Sequence, residues 1–116
     1  MQSKPSPRTF EALDVTLLAI ARLRDVVGKT RRSDRDLGDQ IRASLSSVAL
    51  NLAEGNGSEG GNRLSRFSSA AGSNQETRAA LRVAVAWGYV AESEVAEGEA
   101  LLDRVAAMLH RLGARR

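Results

Sequence analysis

The chain has 116 residues, enough for one domain with a single core. It contains no cysteine and one histidine, which excludes disulfide frameworks, thiolate metal sites and histidine clusters. The net charge is +3, and Lys4 and Lys29 are the only lysines among 17 basic residues, a bias that genomic codon usage or phosphate binding would each produce. Basicity alone is therefore a weak indication of nucleic-acid binding.

The first ten residues contain Pro5 and Pro7 and lack the apolar core of a signal peptide. We predict a disordered tail over 1–8 and one helical domain over 9–116. No apolar run approaches the ~20 residues that a membrane helix needs. These features predict a soluble protein with no membrane association, and the absence of cysteine suits a reducing cytoplasm.

Beyond the tail, apolar residues recur at helical spacing. The first helix is predicted to end near Gly28, with a buried face made of Phe10, Leu13, Leu17, Ile20 and Val27. A second helix, capped by Ser33 or Asp34, is predicted to end at Gly55 in a left-handed residue. Its apolar stripe is the cleanest in the chain and comprises Leu37, Ile41, Leu45, Val48 and Leu52.

The third helix is predicted to begin near Asn62 and to continue toward Trp87. Its last part, RVAVAWGYV, also alternates like a strand, but its alanines and its place in a long periodic segment favour helix. The fourth helix is predicted to end at Gly113, and its apolar face comprises Leu101, Val105, Met108 and Leu112. Four helices with short connections predict an all-α, up-and-down four-helix bundle.

A glycine-rich run follows the second helix, and Gly55, Gly57 and Gly60 satisfy the spacing G-x-G-x-x-G. A dinucleotide fingerprint needs a strand before these glycines, whereas the preceding segment has helical period. No Lys-Ser or Lys-Thr pair follows to make a phosphate-binding P-loop. The run is therefore predicted to be a corner between two helices.

Catalytic groups are hard to assemble from these residues. Acid and base catalysts need titratable groups held in a dry pocket, but the carboxylates recur at surface spacings, as in Glu92, Glu94, Glu97 and Glu99. His110 lies near a helix end, where a cation is mildly favoured. We expect no enzyme, no cofactor and no metal site.

The second helix has unusual flanks on either side of its stripe. Ser44, Ser47, Asn51 and Glu54 form a polar ribbon along one edge, which must be hydrated, paired internally or pressed against a partner. Leu50 lies opposite the stripe and suggests a second buried face. That face belongs either to the bundle itself or to another subunit, and we favour a subunit interface.

Arginines are unevenly distributed on the third helix. Arg63, Arg66, Arg78 and Arg82 fall within a sector of about 160°, which is compatible either with a phosphate-binding strip or with a solvated face. A second basic cluster surrounds the first connection. It comprises Arg22, Arg24, Lys29, Arg31, Arg32 and Arg35, and it is partly neutralised by Asp25, Asp34, Asp36 and Asp39.

Several blocks resemble a known family: SLSSVALNLAEG at 44–55, RF at 66–67 with Arg63 before it, AAGSNQE at 70–76 and WGYV at 87–90. The family is that of bacterial four-helix bundle proteins first noticed as reading frames within intervening sequences of 23S ribosomal RNA genes. It includes the accessory variability protein of diversity-generating retroelements. The matching positions are Asn51, Ala53, Glu54, Gly55, Gly72, Ser73, Glu76, Gly88 and Tyr89. The loop departs from the family pattern, because NGSEGGN stands where a glycine-arginine pair is common.

The resemblance implies a homopentameric barrel without known catalysis. In the retroelement branch it also implies a basic surface that binds nucleic acid and a reverse transcriptase. A pentamer would bury Leu50, and Asn51 and Glu54 would secure the helix end and the corner.

Two functional hypotheses follow. The first is a non-catalytic oligomer that binds RNA or DNA backbone through Arg63, Arg66, Arg78 and Arg82, as an accessory to an enzyme that acts on nucleic acid. The alternative is a structural adaptor that binds another protein. The two are distinguished by whether these arginines remain free or pair with carboxylates.

Overall fold

A computed structural model describes residues 7–114 of the chain, with side chains described from residue 11 onward. The four helices are α1 (Pro7–Ser33), α2 (Arg35–Asn56), α3 (Gly60–Ala86) and α4 (Glu92–Arg111). Within the described range there is no strand. Consecutive helices pack against one another and α4 returns beside α1, which is the arrangement of an up-and-down four-helix bundle. Most of the tail predicted over 1–8 lies outside the described residues, but Pro7 already belongs to α1.

The predicted apolar stripes of α2 and α4 line the core. Ile41, Val48 and Leu52 of α2 are fully buried, and Leu45 nearly so, while Leu37 is half-buried. On α4, the side chains of Leu101, Val105 and Met108 are buried, and Leu112 is half-buried. Full burial of each large aliphatic side chain stabilises the fold by about 1.5–3 kcal/mol, so these two stripes hold the helices together.

The buried face predicted for α1 is confirmed only in part, because Leu13, Ile20 and Val27 are half-buried against the core whereas Leu17 is exposed. The core side chains of α1 are mostly small, and they are Ala12, Val15, Thr16, Ala19, Leu23, Val26 and Thr30. The predicted residues lie on the neighbouring flank, where Leu17 is 50% exposed and Ile20 is half-buried. Small side chains let α1 pack closely on its neighbours, whereas the prediction followed side-chain size. The side chain of Phe10 lies outside the described residues.

Helix α1 also continues beyond its predicted end at Gly28, because the buried Thr30 extends its core face by another turn. Asp34 then caps α2 as predicted, with its carboxylate accepting a hydrogen bond of 3.0 Å from the backbone N–H of Leu37. The two helices approach closely at this corner. A Cβ on Gly38 would lie 2.7 Å from the backbone nitrogen of Arg31 and 2.8 Å from its Cα.

The corner between α2 and α3 is where the glycine run lies. Helix α2 does not end at Gly55; that residue is helical, and its missing Cβ makes room for the buried ring of Phe67. The left-handed residue is Gly60, with φ of 58°, and α3 begins there rather than near Asn62. Among the described residues the segment before the run is helical, so the prediction of a helix corner is confirmed.

The ends of α3 and α4 share one geometry. At the end of α3, the N–H of Tyr89 donates to the carbonyl of Ala84 at 3.0 Å, around a left-handed Gly88 with φ of 79°. At the end of α4, Gly113 has φ of 97°, and the N–H of Ala114 donates to the carbonyl of Leu109 at 3.0 Å. The segment RVAVA is helical, as predicted.

Candidate nucleic-acid interface

The polar ribbon of α2 is paired internally with α3, which decides among the three alternatives. The Ser44 Oγ lies 2.7 Å from the Thr77 Oγ1, and the Ser47 Oγ lies 2.9 Å from the Ser73 Oγ. Asn51 donates to the Ser47 carbonyl at 2.9 Å and to its hydroxyl at 3.0 Å. We call this contact the α2–α3 seam. Its hydroxyl groups are satisfied inside the bundle, so they offer little to a partner.

Charged and amide groups extend the seam toward both ends. The Arg66 guanidinium lies 3.0 Å from the Glu54 carboxylate, and Gln40 donates to Glu76 at 3.4 Å. Glu54 therefore secures the approach of α3 near the corner, whereas Asn51 bonds back to its own helix. Among the other motif positions, Gly72 is half-buried within α3. Three of the motif residues, Glu54, Ser73 and Glu76, thus bond across the seam.

The arginines of α3 do not form one free strip. Arg66 pairs with Glu54 of α2, whereas Arg78 pairs with Asp103 of α4 at 3.4 Å. Arg82 makes two bonds of 2.7 and 2.8 Å to Glu92, and a further bond of 2.9 Å to Glu99. These carboxylates raise the pKa of Arg82 above its usual value, first through hydrogen bonds.

Arg63 is the exception among the four, because it contacts no carboxylate in the described part of the chain. Its guanidinium lies 5.4 Å from the centre of the Phe67 ring and donates weakly to the Ser58 carbonyl at 3.4 Å. The four arginines predicted to share one sector of α3 therefore do not form one continuous surface. Arg66 points toward α2, and Arg78 and Arg82 toward α4, since the partners lie on different helices.

The outer surface of α1 and α2, here called the α1–α2 face, is differently charged. Several cations of the second basic cluster are paired: Arg22 with Glu97, Lys29 with Glu94 and Arg31 with Asp39. Over the described residues of α1 and α2, four exposed arginines make no ion pair, and these are Arg24, Arg32, Arg35 and Arg42. Arg104 and Arg111 are also exposed and without an ion pair in the described range, but they belong to α4 and lie outside this face. The four guanidiniums of the α1–α2 face are available to an anion.

Two of these arginines border a groove of about 170 Å³ between α1 and α2. Its lining consists of Ile20, Arg24, Val27, Arg42, Leu45 and Ser46. Arg42 is not among the site residues predicted from the sequence. Asp39 stands three residues before it, within reach of an ion pair on the same helix. The structure gives Asp39 to Arg31 instead, at 2.6 Å across the corner.

Farther from the corner, the α1–α2 face becomes apolar. Leu50 is 63% exposed and Leu17 is 50% exposed, while Leu13 and Ile20 beside them are half-buried. Because Leu50 is so exposed, the bundle itself does not provide its predicted second buried face. One face thus carries unpaired arginines near the corner and exposed leucines away from it.

These observations define a small all-α protein of four helices in which the motif residues Glu54, Ser73 and Glu76 join α2 to α3. None of the helices over the described residues is long and apolar enough to cross a membrane. The family model described as 23S rRNA-intervening sequence protein matches residues 12–111, and the chain therefore belongs to that family, as its motif blocks predict. No curated protein and no solved structure matches the chain.

Proposed function

We propose that the protein is a non-catalytic homo-oligomer that binds the backbone of RNA or DNA through its α1–α2 face, as an accessory to an enzyme such as a reverse transcriptase. The observation that carries this proposal is the pairing of the arginines. Arg24, Arg32, Arg35 and Arg42 lack ion pairs within the described residues, while Arg66, Arg78 and Arg82 are engaged by carboxylates. The site therefore centres on α1 and α2 rather than on α3.

Unpaired arginines are favoured as the binding site because a phosphate that binds a paired arginine must first displace its carboxylate. A guanidinium that contacts a phosphate releases counterions, which favours binding at low salt. A guanidinium already held by a carboxylate must first give up that partner, so its net contribution is smaller. Assembly would strengthen the effect, because a pentamer multiplies the net charge of +3 fivefold and repeats the α1–α2 face around the assembly.

The test is a fluorescence anisotropy titration with labelled RNA and DNA at several salt concentrations. The double variant Arg24→Glu with Arg42→Glu should weaken binding by at least about tenfold and lower the salt slope by about 2. The matched control is Arg104→Glu with Arg111→Glu, which changes the net charge of +3 by the same amount. Both control arginines are exposed on α4 and make no ion pair in the described range. If both double variants lose the same affinity, the loss is due to net charge alone, and a binding site on α1 and α2 is refuted.

A further variant tests the α3 arginines of the first hypothesis. Replacing Arg78 and Arg82 with Glu should change the affinity less than the change at Arg24 and Arg42, because their guanidiniums are already paired. A larger loss there, in a protein of unchanged helicity, would return the binding site to α3.

The exposed leucines favour a second candidate function, that of an adaptor whose partner is another protein. Leu17 and Leu50 form the apolar half of the α1–α2 face, and exposed apolar surface of this kind marks protein contacts. If the protein binds no nucleic acid even at low salt, the adaptor becomes the leading proposal.

A further inference from the structure

Trp87 is the most exposed of the large apolar side chains in the described residues. It is 70% exposed, and it is also the one tryptophan of the chain. It stands at the C-terminal cap of α3, at the start of the corner that leads into α4. An exposed indole offers a flat aromatic face and a polar N–H to a partner outside the bundle.

The backbone and a second ring hold Trp87 in place. The N–H of Trp87 donates to the Val83 carbonyl at 3.0 Å, and the left-handed Gly88 turns the chain immediately after it. The ring of Tyr89 stacks on the indole, with centroids 6.4 Å apart and planes inclined by 21°. The contact with Tyr89 restricts the indole, which lowers the conformational entropy lost when a ligand stacks on it.

Tyr89 in turn ties this corner to the one between α1 and α2. Burial raises the pKa of the Tyr89 phenol, and the charge and hydrogen bond of the nearby Asp34 carboxylate raise it further. The Lys29 Nζ lies 2.9 Å from the Glu94 carboxylate and joins the same two corners. Arg32 and Arg35 flank Asp34 in the chain, and both are exposed guanidiniums without an ion pair in the described range. An open aromatic ring and two free cations therefore share one end of the bundle.

We propose that Trp87 is a stacking platform for an unpaired base of single-stranded nucleic acid, whose phosphates lie against Arg32 and Arg35. This inference rests on the proposed nucleic-acid binding and specifies its ligand class. Bases of a duplex are stacked on one another, so only a single strand offers a free face to the indole. Every base has such a face, and the site is therefore tolerant of sequence.

The size of the patch argues against a protein partner at this end. Protein contacts use contiguous apolar patches of several hundred Å². Trp87 has Ala86 and Gly88 as chain neighbours, and Val83 one turn earlier is the other large apolar residue exposed on this part of α3. One ring of this kind matches the face of one base, and the adjacent cations match its phosphates.

The experiment uses Trp87 as its own reporter, since no other tryptophan contributes to the emission. The full chain is titrated with an oligothymidylate of about 12 nucleotides, which lies within the site sizes of single-strand binders. We expect saturable quenching of tryptophan emission over the same concentrations at which anisotropy reports binding. A duplex formed by a self-complementary DNA strand of about 12 nucleotides, compared at equal phosphate concentration, should bind without comparable quenching.

Substitution at the platform gives an independent measurement. Trp87→Leu keeps an apolar side chain and should weaken single-strand binding about tenfold, while duplex binding changes little. Leu64→Ala is the control, because Leu64 is also exposed but lies in the first turns of α3 at the other end of the bundle. It should leave both affinities unchanged.

The outcomes separate this inference from the function on which it rests. Binding that weakens in the Arg24 and Arg42 variant, with no quenching and with unchanged affinity in Trp87→Leu, would overturn the platform and leave backbone binding intact. Absence of binding to either single strand or duplex at low salt would overturn both. Equal quenching by the duplex would show that the indole senses bound charge rather than a stacked base.

Discussion

The two flanks of helix α2 differ in how they use their polar residues. On the flank toward α3, serines and a glutamate are bonded to the neighbouring helix, as in Ser44 with Thr77 and Glu54 with Arg66. On the outer flank, toward the α1–α2 face, Arg42 makes no ion pair in the described range and Leu50 is largely exposed. The polar side chains of the flank toward α3 are thus used up by bonds inside the bundle, whereas the outer flank remains exposed.

This difference shows that the availability of a charge depends on what the adjacent helix presents. Arg82 and Arg42 are both exposed arginines on long helices. Two carboxylates of the α4 region, Glu92 and Glu99, engage Arg82, whereas Asp39, the carboxylate nearest in sequence to Arg42, is taken by Arg31. Counting arginines on a helix therefore does not locate an anion site, and their carboxylate partners have to be known.

The largest effect is expected on the open flank, from Leu50→Glu. Because Leu50 is 63% exposed, the protomer should keep its helicity and its free energy of unfolding within about 0.5 kcal/mol. If the apolar half of the α1–α2 face joins subunits, a charge buried there would dissociate the assembly. Light scattering would then show the mass of a single protomer. Leu64→Glu, at an exposed leucine of α3, should leave the mass unchanged.

An unchanged mass in Leu50→Glu would remove Leu50 from any subunit contact. The outer flank of α2 would then face solvent and not another subunit.

On the closed flank, Gly55→Ala should destabilise the protomer. A Cβ at this position would lie 2.5 Å from the Phe67 Cε1 and 2.7 Å from its Cδ1, and the Phe67 ring is fully buried. Overpacking of this kind costs about 1–3 kcal/mol, more than the gain in helix propensity from alanine. Urea denaturation monitored by circular dichroism measures the difference.

Gly61→Ala is the matched control, since a Cβ there meets no atom within 4 Å. It should be neutral or stabilise the chain by up to about 1 kcal/mol through helix propensity. Equal stability of the two alanine variants would contradict the close contact between Gly55 and Phe67.

These glycines show where sequence reasoning succeeds and where it stops. The corner was predicted correctly, because helical period before the run excludes a strand. The role of Gly55 was not predicted correctly. A single sequence does not distinguish a glycine that ends a helix from one that makes room for an aromatic ring. Only the position of Phe67 on α3, brought close by tertiary packing, separates the two.

The same limit explains why the buried face of α1 was predicted only in part and why the unpaired arginines of the candidate site were not predicted. Periodicity identified the stripe of α2, whose residues are large, but not the core face of α1, where Ala12 and Ala19 are buried while Leu17 is exposed. Arg42 could not be recognised as unpaired, because the partner of Asp39 lies on another helix. Local spacing predicts elements, whereas ion pairs between helices depend on register, which one sequence does not reveal.

A moderate effect is expected from Thr77→Val at the seam. The Thr77 Oγ1 lies 2.7 Å from the Ser44 Oγ and 2.9 Å from the Ser73 carbonyl, and Thr77 is fully buried. Valine has the same shape but leaves the Ser44 hydroxyl with one partner fewer, which costs about 1–2 kcal/mol in the free energy of unfolding. Adding Ser44→Ala should recover part of this loss, because no hydroxyl is then left without its partner. Strictly additive losses would mean that the two hydroxyls are not coupled.

The smallest effect concerns the carboxylates that pair with cations of α1 and α3. A hydrogen bond from Arg82 lowers the pKa of Glu92, and one from the Ala91 N–H, aided by Lys29, lowers that of Glu94. A depressed folded-state pKa contributes stability that is complete above the unfolded value of 4.5 and is lost as pH falls below it.

The melting temperature should therefore decline below about pH 4.5, and less steeply in Glu94→Gln, which starts from a lower stability at neutral pH. Glu59→Gln, at an exposed carboxylate without an ion pair in the described residues, should keep the slope of the parent protein. Since these pairs hold Lys29 and Arg82 but not Arg24 or Arg42, acid should loosen the paired flanks while the cations of the α1–α2 face remain unpaired at either pH.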